Sequence, residues 1–503
     1  MKIAGRTINS VANIASRLWS MISTVVFLPL YLTYLGEEAY GLVTLFVTLQ
    51  ATMSLLGLGL SSTLRREFSL GDDSDKNKEY KRKLLITVEN IYYVVCVIII
   101  IVCYVLSGTI ANRWLADNSL SADIVSKAIS LMGVIIALQM ICNLWHGCLL
   151  GLNYQLKANV YQILFSLIKN SLAVAACYYF RSIIIYYLAF MIVDILYCIV
   201  LRLFIGKYLE NNNKTVWKLS DIKLIKKVWK YAVGILSISI LSLLLTQLDK
   251  MILSRYLPLK EIGVYNSIFT IGSLSRVLST GVSVTVLTEF SQLYSTKNFS
   301  KLERNYVSIW KGVAIFTVCV VTYVAFFADT IMLVWTRNNF YATTASIYAP
   351  YLMIGIGAVA LQEIPYSYLL AQGKTRINII LGIFILPIYC ISYLFTVKDY
   401  GMLGASITYA IIFSLHTIVY LAFANKGVSN KRGVNKVYLS IIVSIIVSSI
   451  CATLTKHATY NINNMYVKLL LAVISGLICC LLLFIIFAKG KFRSFCTKIK
   501  STR

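Results

Sequence analysis

The stretch IYYVVCVIIIIVCYVL, residues Ile91–Leu106, runs for sixteen residues without a charge, a proline or a glycine. Side chains of this kind gain nothing from water, and a continuous run lacks the period-two alternation of a barrel strand. Hydrocarbon offers the backbone no hydrogen bonds, so such a run must close its own as a helix. About 20 apolar residues carry a helix across the hydrocarbon core, and the flanks of this run extend it to a span over 84–107. Similar runs recur from end to end. The chain is 58% hydrophobic with a mean hydropathy of +0.76, where soluble proteins average roughly 45–50% apolar. The expected class is all-α and integral to the membrane.

About fourteen spans are expected, at 11–34, 39–62, 84–107, 125–150, 159–180, 183–205, 231–256, 262–288, 309–327, 344–371, 378–396, 401–424, 437–455 and 467–488. The least marked break is that before Ile183, set only by Arg181 and Ser182. Lys2 and Arg6 precede a first run too long, and too poor in small residues, for a cleaved signal, so it is read as a retained helix.

The formal net charge is +27. With the N-terminus inside, the inner segments carry 33 Lys and Arg and the outer ones 8. Basic residues hold cytoplasmic loops in place, so both termini are expected in the cytoplasm. The same scatter over short loops leaves no basic patch for nucleic acid. The cysteines fall within spans, except Cys496 in the tail, and read as small buried hydrophobes. No outer loop exceeds about 20 residues, which leaves no room for an outer catalytic domain. Gly373-Lys374-Thr375 resembles the end of a phosphate-binding loop, but Tyr368 stands where its first glycine is required. His146, His416 and His457 lack metal-ligand spacing. Neither a cofactor, a metal nor an enzymatic activity is expected.

Shifted by 222 residues, the chain matches itself: 11 of 36 positions over 34–69 are identical, including Gly41 on Gly263, Gly59 on Gly281 and Glu67-Phe68-Ser69 on Glu289-Phe290-Ser291. The repeat lays span 2 on span 8, an even separation, so both copies cross in the same direction. Parallel repeats of this kind are related by an axis along the membrane normal. The expected organisation is an N-lobe of spans 1–6 (1–205), a cytoplasmic linker (206–230), a C-lobe of spans 7–12 (231–424), and spans 13–14 with a basic tail (425–503).

Leu248-Asp249-Lys250-Met251-Ile252-Leu253, followed by Gly263-Val264-Tyr265, resembles the span 7–8 junction of polysaccharide flippases. Tyr40-Gly41-Leu42 resembles the matching junction of the first half, and Tyr400-Gly401-Met402-Leu403-Gly404-Ala405 the span 11–12 junction. The resemblance covers spans 1–12. These flippases belong to the superfamily of multidrug, oligosaccharidyl-lipid and polysaccharide exporters, with the multidrug and toxin extruders (MATE) and the lipid II flippase. It implies a MATE-like pair of six-helix lobes in the inner membrane of a bacterium. It also implies transport of undecaprenyl-diphosphate-linked oligosaccharide, such as an O-antigen or capsule unit, from the cytoplasmic to the periplasmic leaflet. Membrane lipids and other polysaccharide-assembly membrane proteins are the remaining expected partners.

Charges within spans are costly and mark candidate sites. Arg17, Lys169, Lys250 and Arg276 are the substrate-binding candidates, because a diphosphate leaving water needs cations and arginine grips phosphate bidentately. Arg17 and Arg276 also resemble cavity arginines of the lipid II flippase. Structural ion pairing is the alternative for both, and snorkelling to the outer interface the alternative for Lys250. Asp194 and Asp249 are the candidates for coupling to H⁺ or Na⁺. Lys169 and Asp194 lie at similar depth, about 18 Å below the 181–182 turn, so a salt bridge between them is expected. Glu89, Arg202 and Lys127 read as residues near span ends. The rival functions are a cation-coupled multidrug antiporter, which would want cavity acids, and an O-antigen polymerase or ligase, which would want a large outer loop.

Overall fold

The computed structural model describes residues 2–69, 75–114, 120–152, 154–208 and 222–500. Every regular element among them is helical. Ten helical segments are long and apolar enough to cross a membrane. The helices start and stop close to the expected spans, and several overrun them. The third (α3, Asp75–Thr109) has 35 residues. At about 1.5 Å per residue such a helix is roughly 50 Å long, against a core of about 30 Å. The excess is the polar, basic end, which amphipathicity alone does not show as membrane and which the helix simply continues into.

Two compact units divide the chain at Gly263/Val264. The first holds α1 (Lys2–Leu35), α2 (Glu37–Ser69), α3, α4 (Ala122–Gly151), α5 (Gln155–Phe180), α6 (Ile183–Tyr208), α7 (Ile222–Tyr256) and the first turn of α8 (Leu259–Ser295). α2 packs along both α4 and α7. The α2–α4 approach depends on missing side chains. A Cβ on Gly151 would lie 2.5 Å from the Arg65 carbonyl oxygen, and one on Gly147 2.7 Å from Ser61 Oγ. Lipid supplies no hydrophobic drive between helices, so close backbone packing by small residues takes its place. The break between α5 and α6 is real: Arg181 adopts φ 47° and caps α5.

The second unit holds the rest of α8, then α9 (Phe299–Phe326), α10 (Ala328–Thr336), α11 (Asn339–Leu361), α12 (Glu363–Ala371), α13 (Thr375–Asn425), α14 (Lys431–Ala458) and α15 (Met465–Lys500). α9 packs against α11, α14 and α15. Its Tyr306 and Trp310 are fully buried, and Tyr306 stacks on Tyr368 at 4.2 Å between ring centres. α2 and α8 begin 222 residues apart, the shift of the sequence repeat. α3 shows how the apolar runs are used: Val88, Tyr92 and Cys96 are buried, while Val94 and Val105 are 60% and 66% exposed. An exposed apolar surface on this scale is one that hydrocarbon covers.

The 51 residues of α13 form a hairpin rather than one rod. Gly401 has φ 54° and ψ −134°, and the arms on either side pair: Thr396 Oγ1 lies 2.8 Å from Thr408 Oγ1, Tyr389 and Phe413 meet edge to face, and Tyr420 Oη donates to Asn378 Oδ1 at 2.7 Å. A Cβ on Gly404 would stand 2.1 Å from the Thr396 carbonyl oxygen. The turn therefore needs glycine twice, once for its backbone angle and once for space. A side chain at Gly401 is expected to cost about 1–3 kcal/mol. Gly404→Val is expected to lower the melting temperature of the purified protein more than Gly401→Ala does, while Gly108→Ala, whose Cβ meets nothing within 4 Å, leaves it unchanged. Equal melting of all three would refute the hairpin.

Candidate functional site

Within the first unit, α1, α2, α4, α5 and α6 line a cavity of about 360 Å³. Its wall contains Lys169 and Asp194. α5 and α6 are antiparallel about the Arg181 turn, and the two residues are equidistant from it, so they meet. Lys169 Nζ lies 3.0 Å from Asp194 Oδ1, and Gln139 Nε2 of α4 donates to Asp194 Oδ2 at 2.8 Å. Both carboxylate oxygens are thus engaged, and Lys169 Nζ also sits 5.1 Å over the Phe190 ring. The expected salt bridge is present. Asp194 is almost fully buried and Lys169 largely so, at 4% and 17% side-chain exposure. The amides Gln50, Asn143 and Gln162 and the rings Trp19, Phe165 and Tyr197 complete much of the wall.

The other site candidates lie elsewhere. Arg276, in the middle of α8 in the second unit, pairs through Nε with Glu363 Oε1 at 3.2 Å and stays 38% exposed. Glu363 opens α12, where the helical path breaks at Gln362, and Gln362 turns its amide onto Thr417 Oγ1. Lys250 Nζ donates to Gln247 Oε1 of its own helix at 3.3 Å, and its neighbour Asp249 is 1% exposed. Neither lines the cavity. The Arg17 side chain lies outside the described residues.

A buried polar cluster sits where the sequence reading placed only interfacial residues. Glu89 is 2% exposed, accepts a hydrogen bond from Trp145 Nε1 at 2.6 Å and pairs with Arg202 Nη2 at 3.4 Å. The sequence reading discounted it as near a span end, and the structure adds its partners, Trp145 of α4 and Arg202 of α6. A glutamate and an arginine in separate apolar runs were the available signal. Lys127, by contrast, reaches Asp123 at an exposed end of α4. Among the described residues no group of three or more His, Cys, Asp or Glu is placed to hold a metal ion. The arrangement orders polar ligand groups around a cavity and holds its charges in pairs.

An all-helical bundle with buried ion pairs and a polar pocket among apolar spans defines a multi-pass membrane protein of transporter architecture. The chain belongs to the polysaccharide biosynthesis protein family, whose profile matches residues 7–292; that of the MatE family matches 234–394. It is 23% identical over 389 residues to a candidate O-antigen transporter of Shigella flexneri, covering 75% of this chain and 87% of that protein. Its fold is similar to that of the lipid II flippase MurJ in an inward closed conformation, with a TM-score of 0.77 at 18% identity, covering 97% of this chain and 100% of that one. An inward-facing multidrug resistance MATE family transporter matches with a TM-score of 0.62 at 15% identity, over 81% and 94% of the two chains.

The buried pair should behave as a unit. Lys169→Met leaves the Asp194 carboxylate buried without its cation, and breaking such a pair costs about 3–5 kcal/mol. The double variant Lys169→Met/Asp194→Asn removes both charges and is expected to recover much of that loss. Thermal unfolding of the four proteins of this double-mutant cycle measures the coupling; strictly additive losses would show that the pair is not coupled.

Proposed function

We propose that this protein is a flippase that moves undecaprenyl-diphosphate-linked oligosaccharide, an O-antigen or capsule repeat unit, from the cytoplasmic to the periplasmic leaflet of a bacterial inner membrane. The observation that carries the reading is the polysaccharide family match over more than half of the chain. Fourteen crossings with both termini in the cytoplasm accord with the 33-to-8 distribution of basic residues. In this scheme the repeat-related lobes, 1–205 and 231–424, rock against each other to alternate access, with 206–230 as linker and 425–503 as an addition to the repeat.

The diphosphate is bound by cations from both halves. Arg17 and Arg276 are its principal contacts, with Lys250 secondary; Lys169, held by Asp194 at 3.0 Å, is not among them. The Arg276 side chain keeps over a third of its surface open beside Glu363. A headgroup with about two negative charges leaving an inside-negative cell gains roughly 2.3 kcal/mol per charge per 100 mV, so outward movement is electrically favoured. Asp249 is the carboxylate through which H⁺ or Na⁺ would couple, since both Asp194 oxygens are bonded within the first unit. A multidrug antiporter is the weaker reading, because such a site wants an uncommitted acid and both Asp194 oxygens are already bonded.

Deleting the gene should make lipid-linked oligosaccharide accumulate on the cytoplasmic face; no accumulation and an intact surface polysaccharide would overturn the reading. In the deletion strain, Arg276→Lys should restore part of the surface polysaccharide and Arg276→Ala none, with membrane levels checked by immunoblot because Glu363 loses its partner. Full restoration by both Arg276→Ala and Arg17→Ala would remove these residues from the mechanism. Cysteines introduced into 206–230 should react only with membrane-permeant reagents in spheroplasts; labelling by an impermeant one would reverse the topology.

A further inference from the structure

We infer that the cavity of the first unit is a subsite for an uncharged sugar ring of the substrate, not for its phosphates. The inference rests on the transport reading above and adds which part of the headgroup this cavity takes.

Charge argues first. Among the described residues the cavity wall carries one cation, Lys169, and one anion, Asp194, and the 3.0 Å contact between them commits each to the other. Among the described residues, a diphosphate entering here would meet a carboxylate whose cation is already committed. Charge brought out of water on such terms is costly. A neutral ligand avoids that cost.

The rest of the described wall sets amides, hydroxyls and rings among aliphatic and sulfur-bearing side chains such as Val47, Ile136 and Met140. A sugar presents a rim of hydroxyls, each both donor and acceptor, and flatter faces of C–H groups. Carboxamides offer a donor and an acceptor side by side, and aromatic rings offer an apolar face. Gln139, Asn143 and Gln162 supply the first; Trp19 and Phe165 supply the second. The volume of about 360 Å³ falls within the range of about 300–1,000 Å³ found for small-molecule pockets.

Two atoms of this wall carry the inference furthest. Trp19 Nε1 and Gln139 Oε1 are both shielded from solvent and have no hydrogen-bond partner among the described residues. Buried polar atoms are nearly always paired, and each exception calls for an explanation. One of the two can only donate and the other can only accept, and a hydroxyl does both. The Gln139 orientation is fixed by Asp194, which as a carboxylate accepts the Nε2 hydrogen bond at 2.8 Å and so leaves Oε1 for a ligand. Lys169 holds Asp194 in turn. On this reading the ion pair positions Gln139 and does not itself touch the sugar.

The test uses the full chain in lipid nanodiscs with two probes: a neutral oligosaccharide from partial hydrolysis of the producing strain's own surface polysaccharide, and inorganic pyrophosphate. Trp19→Phe and Gln139→Leu each keep an apolar body of similar size and drop the polar group. Either should weaken oligosaccharide binding by about tenfold or more and leave pyrophosphate binding unchanged. Should Gln139→Leu lose its fold through Asp194, Trp19→Phe decides alone. The inference is overturned if the native chain does not bind the oligosaccharide, if the variants bind it as the native chain does, or if they lose pyrophosphate instead. Failure of the transport reading is a separate result, read from the deletion strain as absence of accumulated lipid-linked oligosaccharide.

Discussion

A peptide group in hydrocarbon that gives up its hydrogen bond has no water to turn to, and the loss costs several kcal/mol. Everything else in this chain is arranged around that constraint. It makes every span a helix and makes the turns the expensive places. Arg181 in the left-handed region closes α5, and Gly401 reverses the chain within α13. Where the helical path breaks inside an apolar region, as at Gln362, side chains take over: the Gln362 amide bonds Thr417, and Trp310 Nε1 donates to the Leu361 carbonyl at 3.0 Å.

The same absence of water governs the charges. Three ion pairs are found where α3, α5 and α8 carry ionisable residues away from their ends: Glu89–Arg202, Lys169–Asp194 and Arg276–Glu363. Each acid is more deeply buried than its cation, which fits the longer reach of lysine and arginine. The pairs differ in what is left over. Glu89 is closed in by Trp145, and the oxygens of Asp194 are both taken, so these two serve the framework. Arg276, at 38% side-chain exposure, is the most open cation of the three. The first unit thus pairs the charges of its cavity, and the second keeps a partly exposed arginine side chain.

Much of this was legible in the sequence. The apolar runs set the helices, and the 222-residue repeat reappears as the spacing between the starts of α2 and α8. Lys169 and Asp194 could be paired in advance because a short turn makes their depth a matter of counting. The Glu89 cluster was not, because its partners lie on α4 and α6 and hydropathy does not say which faces of α3, α4 and α6 meet.

Sequence alone determined what depends on composition and on neighbours along the chain: helix, membrane, and a pair across one hairpin. The tertiary structure alone decided what depends on residues far apart. Glu363 lies 87 residues from Arg276, and Gln139 lies 55 from Asp194. Nothing in a one-dimensional pattern says which face of a helix meets which, since that choice is made by whole surfaces packing together. The cavity is the clearest case. Its wall draws on five helices, none of them polar enough to announce it, and it exists only because their few polar side chains could be hidden from lipid by being turned toward one another.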